Sequence, residues 1–257
     1  MRLDQYLVQM GWAASRTKAQ EMIERGDVRV FVKGDIIDAK PSHTIDDQTR
    51  VVLVSNELGK YVSRAGLKLE GALERLKLPV QGRLFLDVGQ SAGGFTDCLL
   101  QRGAEVVVGL DTGHGQLHDK IKKHDRVIAF EGINARELQN LPIVTAHFPD
   151  EGFDGIVMDV SFISQKILWH STLPYLKAGG DFLALVKPQF ELGPQKLAKG
   201  GIVTEESLFT VVKCEIVEGL KNLNMEVVDY FPSELEGRDG NQEFFVYAKK
   251  KVVGVIT

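Results

Sequence analysis

The chain has 257 residues, 44% of them hydrophobic and 26% charged, which is ordinary for a soluble protein and enough for two domains or one large one. A formal net charge of -4 gives the whole chain no basic signature of a nucleic-acid binder, although local patches matter more than totals. No apolar run approaches the roughly 18–20 residues that span a bilayer, and "MRLDQYLVQMGW" lacks the apolar core of a signal peptide, so a cytoplasmic protein is expected. In chain order, "LDQYLVQM" reads as a helix stopping at Gly11. "SRTKAQEMIERG" reads as a second helix, with Ser15 as N-cap and Gly26 as C-terminal cap. "DVRVFVKGDIID" reads as two strands joined at "KGD", and "RVVLVS" as a third. These pieces form a small α+β module, followed by the polar linker "NELGKYVSR".

From about residue 82 strands alternate with helices. "RLFLDVG", "AEVVVGLD", "RVIAFEG", "FDGIVMDV" and "DFLALVK" are five expected strands. "GGFTDCLLQRG", "ISQKILWHSTLPYL" and "EESLFTVVKCEIVEGLKNL" are expected helices, and "EVVDYF" and "QEFFVYAKK" close the pattern as two more strands. Such alternation predicts an α/β fold with a doubly wound, mostly parallel sheet. Cys98 and Cys214 fall inside apolar helical patterns and are expected to be reduced, buried thiols.

"LDVGQSAGGFTD" occupies the first strand-to-helix turn, where open α/β sheets bind ligands. Gly89, Gly93 and Gly94 let the backbone approach a ligand closely. Asp111, 22 residues beyond Gly89, is placed to accept ribose hydroxyls. NAD and S-adenosylmethionine both fit, but the loop is not G-x-G-x-x-G, which weighs against NAD. Asp87 at the strand end has the position that orients the amino-acid part of a methyl donor in methyltransferases.

Asp159 ends the fourth strand and Lys187 the fifth, at one sheet edge. Glu243 stands near the start of a last strand expected to run antiparallel, which brings it to the same edge. Lys68 lies in a helix before the first strand. Each alone is as well explained by a surface charge or a salt bridge. Together, beside a methyl donor, they suit methylation of a ribose 2′-hydroxyl: a lysine held by carboxylates shares the proton of a weakly acidic nucleophile.

The motifs "SRAGLKL", "DVGQSAGGFTD", "DVSFIS", "VKPQFE" and "GNQEFF" resemble, in order and over nearly the whole chain, those of the TlyA (hemolysin A) family, whose catalytic half is FtsJ-like. The resemblance implies a Rossmann-like class I methyltransferase that uses S-adenosylmethionine to methylate a cytidine 2′-hydroxyl in ribosomal RNA. It assigns the catalytic tetrad to Lys68, Asp159, Lys187 and Glu243. It assigns cofactor contacts to Asp87, Gly89, Ser91, Gly93, Gly94 and Asp111, with Asn134 near the adenine. Ala92 and Thr112 depart from the family pattern, but neither removes a catalytic group.

Residues 2–34 resemble the small RNA-binding domain first seen in the S-four ribosomal protein. Arg2, Arg16, Lys18, Arg25 and Arg29 are the expected phosphate contacts, joined by Arg64 of "SRAGLKL". Residues 1–50 hold eight basic and eight acidic side chains, so this face rests on arrangement, not on net charge. The expected domains are 1–58 for RNA binding, 59–81 for linker and first catalytic helix, 82–250 for methyl transfer and 251–257 as a tail. The expected partner is ribosomal RNA or a ribosomal subunit, with no metal and no membrane. The rival readings are an RNA-binding protein with an inactive methyltransferase fold, a membrane-active hemolysin and an NAD enzyme. Glycines and lysines in loop 191–203 also suggest a segment that closes over RNA.

Overall fold

The computed structural model describes residues 1–10, 12–13, 15–26, 28–32, 35–46, 48–53, 60–198, 200–237 and 240–252. The chain divides into two compact units, Met1–Arg64 and Ala65–Thr257. The expected boundary at 58 falls among residues 54–59, outside the described residues, as do Gly11, the "KG" of the first hairpin and residues 253–257 of the tail.

The first unit has α1 (Leu3–Gln9) and α2 (Arg16–Arg25), then strands β1 (Val28–Val32), β2 (Asp35–Ile37) and β3 (Thr49–Leu53) in the antiparallel order β2-β1-β3. Ser15 caps α2 by accepting the Lys18 N–H at 3.2 Å, and Gly26 ends it in the left-handed region, as the sequence predicts. Leu3, Leu7, Ala19, Ile23 and Val30 bury the facing sides of the helices and sheet.

The second unit opens with α3 (Ala65–Leu76). It continues with β4 (Leu84–Val88), α4 (Gly94–Gln101), β5 (Val106–Leu110), α5 (Asp119–Lys122), β6 (Val127–Phe130), α6 (Pro142–Thr145), β7 (Phe153–Met158) and α7 (Lys166–Thr172). It closes with β8 (Leu176–Val186), α8 (Pro188–Glu191), α9 (Glu206–Asn222), β9 (Met225–Pro232) and β10 (Phe244–Lys250). The sheet order is β6-β5-β4-β7-β8-β10-β9; β10 runs antiparallel to both of its neighbours and the other pairs are parallel. The order reverses between β4 and β7, and the loops leaving these two strands meet at the carboxyl edge where such sheets bind ligands.

Three details differ from the sequence reading. The helix expected over 163–176 ends at Thr172, because Pro174 tightens the chain into a 3-10 turn, and Leu176 already belongs to β8. β8 therefore starts earlier than "DFLALVK", and its register against β7 slips over "KAGG", where Gly179 has φ +75°. Cys214 is exposed, unlike Cys98: the buried stripe of α9 is Val212, Ile216 and Leu220, and a position midway between the first two faces outward.

Candidate active site

The four residues expected to form a tetrad reach one edge by four routes. Lys68 sits in the first turn of α3, Asp159 follows β7, Lys187 follows β8 and Glu243 precedes β10. The antiparallel register of Phe244 with Val186 carries Glu243 to the end of β8. Two ion pairs result. Lys68 Nζ donates to Glu243 Oε2, and both side chains are buried. Lys187 Nζ lies 2.7 Å from Asp159 Oδ1, with the two side chains 12% and 16% exposed, and also donates to Ser161 Oγ at 2.7 Å. The pairs are electrically coupled. Burial raises the Glu243 carboxyl above its ordinary range; Lys68 and Lys187 oppose the rise and Asp159 adds to it.

Lys187 is thus held at the mouth of a buried strand by a carboxylate and a hydroxyl. It is the N-cap residue of α8, with Pro188 at the first helical position, where a missing N–H costs nothing.

Beside this edge the β4–α4 loop turns through left-handed conformations at Gly89 (φ +87°), Ser91 (φ +46°) and Gly93 (φ +89°). A Cβ on Gly89 would collide with the Asp159 carbonyl oxygen and stand 3.0 Å from Val160 Cγ1. One on Gly93 would press on Leu117 and Ile121 at 3.0 Å, and Gly94 is buried as the first residue of α4. Asp87 is fully buried. Its Oδ2 accepts from Thr96 Oγ1 at 2.6 Å, Thr96 in turn accepts from Gln90 Nε2 at 2.9 Å, and Asp87 Oδ1 has no partner among the described residues. Burial pushes this carboxyl up to about 7 against the Thr96 hydrogen bond, and Asp159 and Asp111 contribute to the rise.

Asp111 follows β5. Its oxygens accept from the Ser91 N–H at 2.7 Å and the Gly113 N–H at 2.6 Å, while Ser91 Oγ lies 3.2 Å from Gln116 Oε1. Asp111 therefore also organises the glycine loop. Asn134 is exposed; it caps the 3-10 helix Ala135–Asn140 by accepting from the Arg136 N–H at 3.2 Å. A left-handed loop beside an unpartnered buried carboxylate oxygen and a second acid suits a cationic nucleoside, as S-adenosylmethionine is.

Sequence reasoning missed Ser161, Phe162, Thr96 and Glu191. Phe162 is 89% exposed, has φ +65°, and tilts against Phe190 at 5.2 Å between centroids. The signal was an aromatic residue three positions past the strand-end acid, where a loop has no need to carry one.

In the first unit Arg2 and Arg16 converge on buried Asp4, each with an N–O distance of 3.0 Å, and Gln20 Nε2 joins them at 3.1 Å. Lys18 pairs with Glu21 at 2.7 Å, and Arg29 is half-buried in β1. Arg64 is half-buried in the turn before α3, and the Arg25 side chain lies outside the described residues. In loop 191–203, Asn241 Oδ1 accepts from the Val203 N–H at 2.9 Å and Asn241 Nδ2 donates to Gly201 O at 3.1 Å, which fastens the loop's end; Lys199 is outside the described residues.

Residues 61–250 match the FtsJ-like methyltransferase family, and residues 1–30 match the S4 domain. The chain is 36% identical over 248 residues to the 16S/23S rRNA (cytidine-2′-O)-methyltransferase TlyA of Mycobacterium tuberculosis, covering 96% of this chain and 89% of that one. It is 37% identical to hemolysin A of Brachyspira hyodysenteriae, covering 96% and 99% of the two chains. A solved hemolysin-named protein of Streptococcus thermophilus superposes with TM-score 0.73 at 35% identity, covering 98% of this chain and 88% of that chain. A Listeria monocytogenes protein described as an S-adenosylmethionine-dependent methyltransferase shares the fold alone, at TM-score 0.54 and 12% identity over 73% of this chain and 99% of that chain. With its glycine loop and paired lysines at one sheet edge, the chain belongs to the TlyA family of FtsJ-like methyltransferases, with an S4 domain at its N-terminus.

Proposed function

We propose that this protein transfers a methyl group from S-adenosylmethionine to a ribose 2′-hydroxyl, that of a cytidine, in ribosomal RNA. The observation that carries the reading is the convergence of two lysine–carboxylate pairs, Lys68–Glu243 and Lys187–Asp159, beside the left-handed glycine loop. The relatives' names supply the base and the RNA.

The cofactor supplies an electrophilic methyl on a sulfonium. Asp87, Gly89, Ser91, Gly93, Gly94, Asp111 and Asn134 are the residues that would hold it. Asp87, buried behind the loop, would orient the amino-acid part through water or main chain, and Asp111 would accept from the ribose hydroxyls with its remaining lone pairs. Lys187, its Nζ placed by Asp159 and Ser161, would take up the 2′-hydroxyl proton as the oxygen–methyl bond forms and the methyl–sulfur bond breaks. Lys68 adds a second cation, and Glu243 keeps it from leaving for water. With the nucleophile aligned on the methyl, proximity and orientation supply much of the rate. A nucleotide presented this way must be splayed from its helix, and Phe162 offers an exposed face for its base. Arg2, Arg16, Lys18, Arg25, Arg29 and Arg64 are the RNA contacts of this reading, which places the protein in the cytoplasm with ribosomal RNA or a subunit as its partner.

The test is transfer of labelled methyl from S-adenosylmethionine to unmodified ribosomal subunits by the native chain and by Lys187→Ala. Alkali-resistant 2′-O-methyl nucleotide that disappears in the variant supports the reading. Label that persists in the variant removes Lys187 from catalysis, and no label with either chain overturns the reaction. Among the described residues no helix is long and apolar enough to cross a membrane.

A further inference from the structure

The loop after β7 carries Asp159, Ser161 and Phe162, and the turn after β8 carries Lys187. Both lead to Glu191. Its side chain is 2% exposed, and its Oε2 accepts from Ser164 Oγ at 2.5 Å while Oε1 accepts from the Gln165 N–H at 2.9 Å. Glu191 closes α8, four residues after Lys187. The turn between them is tied by Phe190 N–H to Lys187 O at 2.9 Å and Leu192 N–H to Pro188 O at 3.0 Å. The far side of the clamp is anchored too, since Gln165 Nε2 donates to Leu185 O at 3.3 Å.

A buried carboxylate is an expensive way to gain stability. Lys166 stays 3.8 Å from Glu191, and it pairs with Glu215 at 2.6 Å. Burial raises the Glu191 carboxyl above its ordinary range despite the Ser164 hydrogen bond. An apolar side chain of similar size would fill the place at less cost. What an apolar side chain cannot do is hold the start of α7 and the end of α8 at a fixed distance through two directed hydrogen bonds.

We propose that Glu191 is a positioning residue for methyl transfer: its carboxylate clamps the loop bearing Asp159, Ser161 and Phe162 to the helical turn bearing Lys187, and so fixes the Asp159–Lys187 pair for the acceptor hydroxyl. The proposal rests on the methyltransferase reading. It predicts a defect in the chemical step more than in binding, because the Glu191 side chain is buried and both of its oxygens are engaged by Ser164 and Gln165.

The experiment compares native protein, Glu191→Ala, Glu191→Gln, Ser164→Ala and the Ser164→Ala/Glu191→Ala double variant. It reads kcat and KM on ribosomal subunits, S-adenosylmethionine affinity, thermal unfolding, and hydrogen exchange of residues 160–164. Glu191→Ala is expected to lower kcat by about 10- to 100-fold, the cost of a displaced catalytic pair, and to speed exchange over 160–164, with KM and cofactor affinity within about threefold. Glu191→Gln keeps an acceptor for the Gln165 N–H and is expected to recover most of the rate. The double variant is expected to be no worse than Glu191→Ala, because both changes open one clamp. An unchanged kcat with folded Glu191→Ala overturns the proposal, as does a rate loss equal to the unfolded fraction. If Glu191→Ala does not fold, Ser164→Ala decides: a normal rate overturns the clamp. If native protein transfers no methyl, the methyltransferase reading falls, and exchange over 160–164 still shows whether the clamp exists.

Discussion

Gly89 lies directly against the backbone of Asp159: a Cβ there would stand 2.9 Å from the Asp159 carbonyl carbon and closer still to its oxygen. The glycine that opens the β4–α4 loop is thus also the surface on which the Asp159 backbone rests. Gly89→Ala is expected to cost at least about 2 kcal/mol, from its left-handed φ and the collision together. Transfer should fall further than cofactor affinity does, because the new methyl group pushes on Asp159. Thermal unfolding with cofactor titration and rate measurement checks this.

Lys68 and Glu243 form a buried pair, so removing one partner strands the other. Lys68→Met is expected to destabilise the protein by about 3–5 kcal/mol and abolish transfer. The double variant Lys68→Met/Glu243→Leu should regain most of the stability and none of the activity. Denaturant unfolding of the two single variants and the double variant provides the cycle; activity in the double variant would remove the pair from catalysis.

Asp87 makes stability pH-dependent in a defined direction. Its folded carboxyl titrates at about 7 against an ordinary value of 3.8, so burial penalises the charged form. The penalty is absent below the unfolded value, grows as pH rises through the interval, and is complete above the folded value, where it is on the order of 4 kcal/mol. Native protein should therefore lose stability relative to Asp87→Asn between about pH 4 and pH 7. Melting temperatures of both proteins across that range test it; parallel curves would contradict it.

Phe162 combines an exposed ring with a backbone conformation that favours glycine. Phe162→Gly relieves the strain and should hold or raise the melting temperature. Loss of one base–aromatic stack is worth about 1–3 kcal/mol, a fall of about 5- to 150-fold in kcat/KM on RNA. A variant that is more stable and equally active would leave the ring without a part in recognition.

Asp4 should make the first unit sensitive to acid. Arg2 above all, then Arg16 and Gln20, hold its carboxyl well below the ordinary carboxylate range despite its burial. That contribution is present above the unfolded value and is lost as pH falls below it. Asp4→Asn should therefore weaken the first unit at neutral pH, and its deficit against native protein, read from amide exchange of α1 and α2 in the full chain, should shrink as pH falls below the ordinary carboxylate range.

Sequence resolved most where a residue's neighbours in the chain decide its fate. β-Branched runs ending at glycines located the strands, and Asp159 and Lys187 at strand ends pointed to one edge. Antiparallel closure by the last strand was readable from its place after a helix and a partner strand, and it put Glu243 where it stands. What escaped depends on distant contacts. "KAGG" fell between an expected helix and an expected strand, yet it belongs to β8, where the register against β7 shifts. Asp111 reads as a ribose acceptor, and the two backbone N–H groups it also accepts from in the glycine loop and after β5 were not legible. Asp4 was one acid in a neutral count until the fold brought two arginines to it. Glu191 looked like the tail of a lysine motif, and only the α7 start gives it partners.

The Lys68–Glu243 pair joins residues 175 positions apart. During synthesis the lysine leaves the ribosome long before its carboxylate is made, and the strand that delivers Glu243 is inserted between two others near the end of the chain. Until residue 243 is made the nascent chain lacks one of the two carboxylates, and until β10 pairs with β8 nothing brings Glu243 to Lys68. On the proposed mechanism, a chain that stops before β10 is therefore expected to transfer no methyl, although both of its lysines are present.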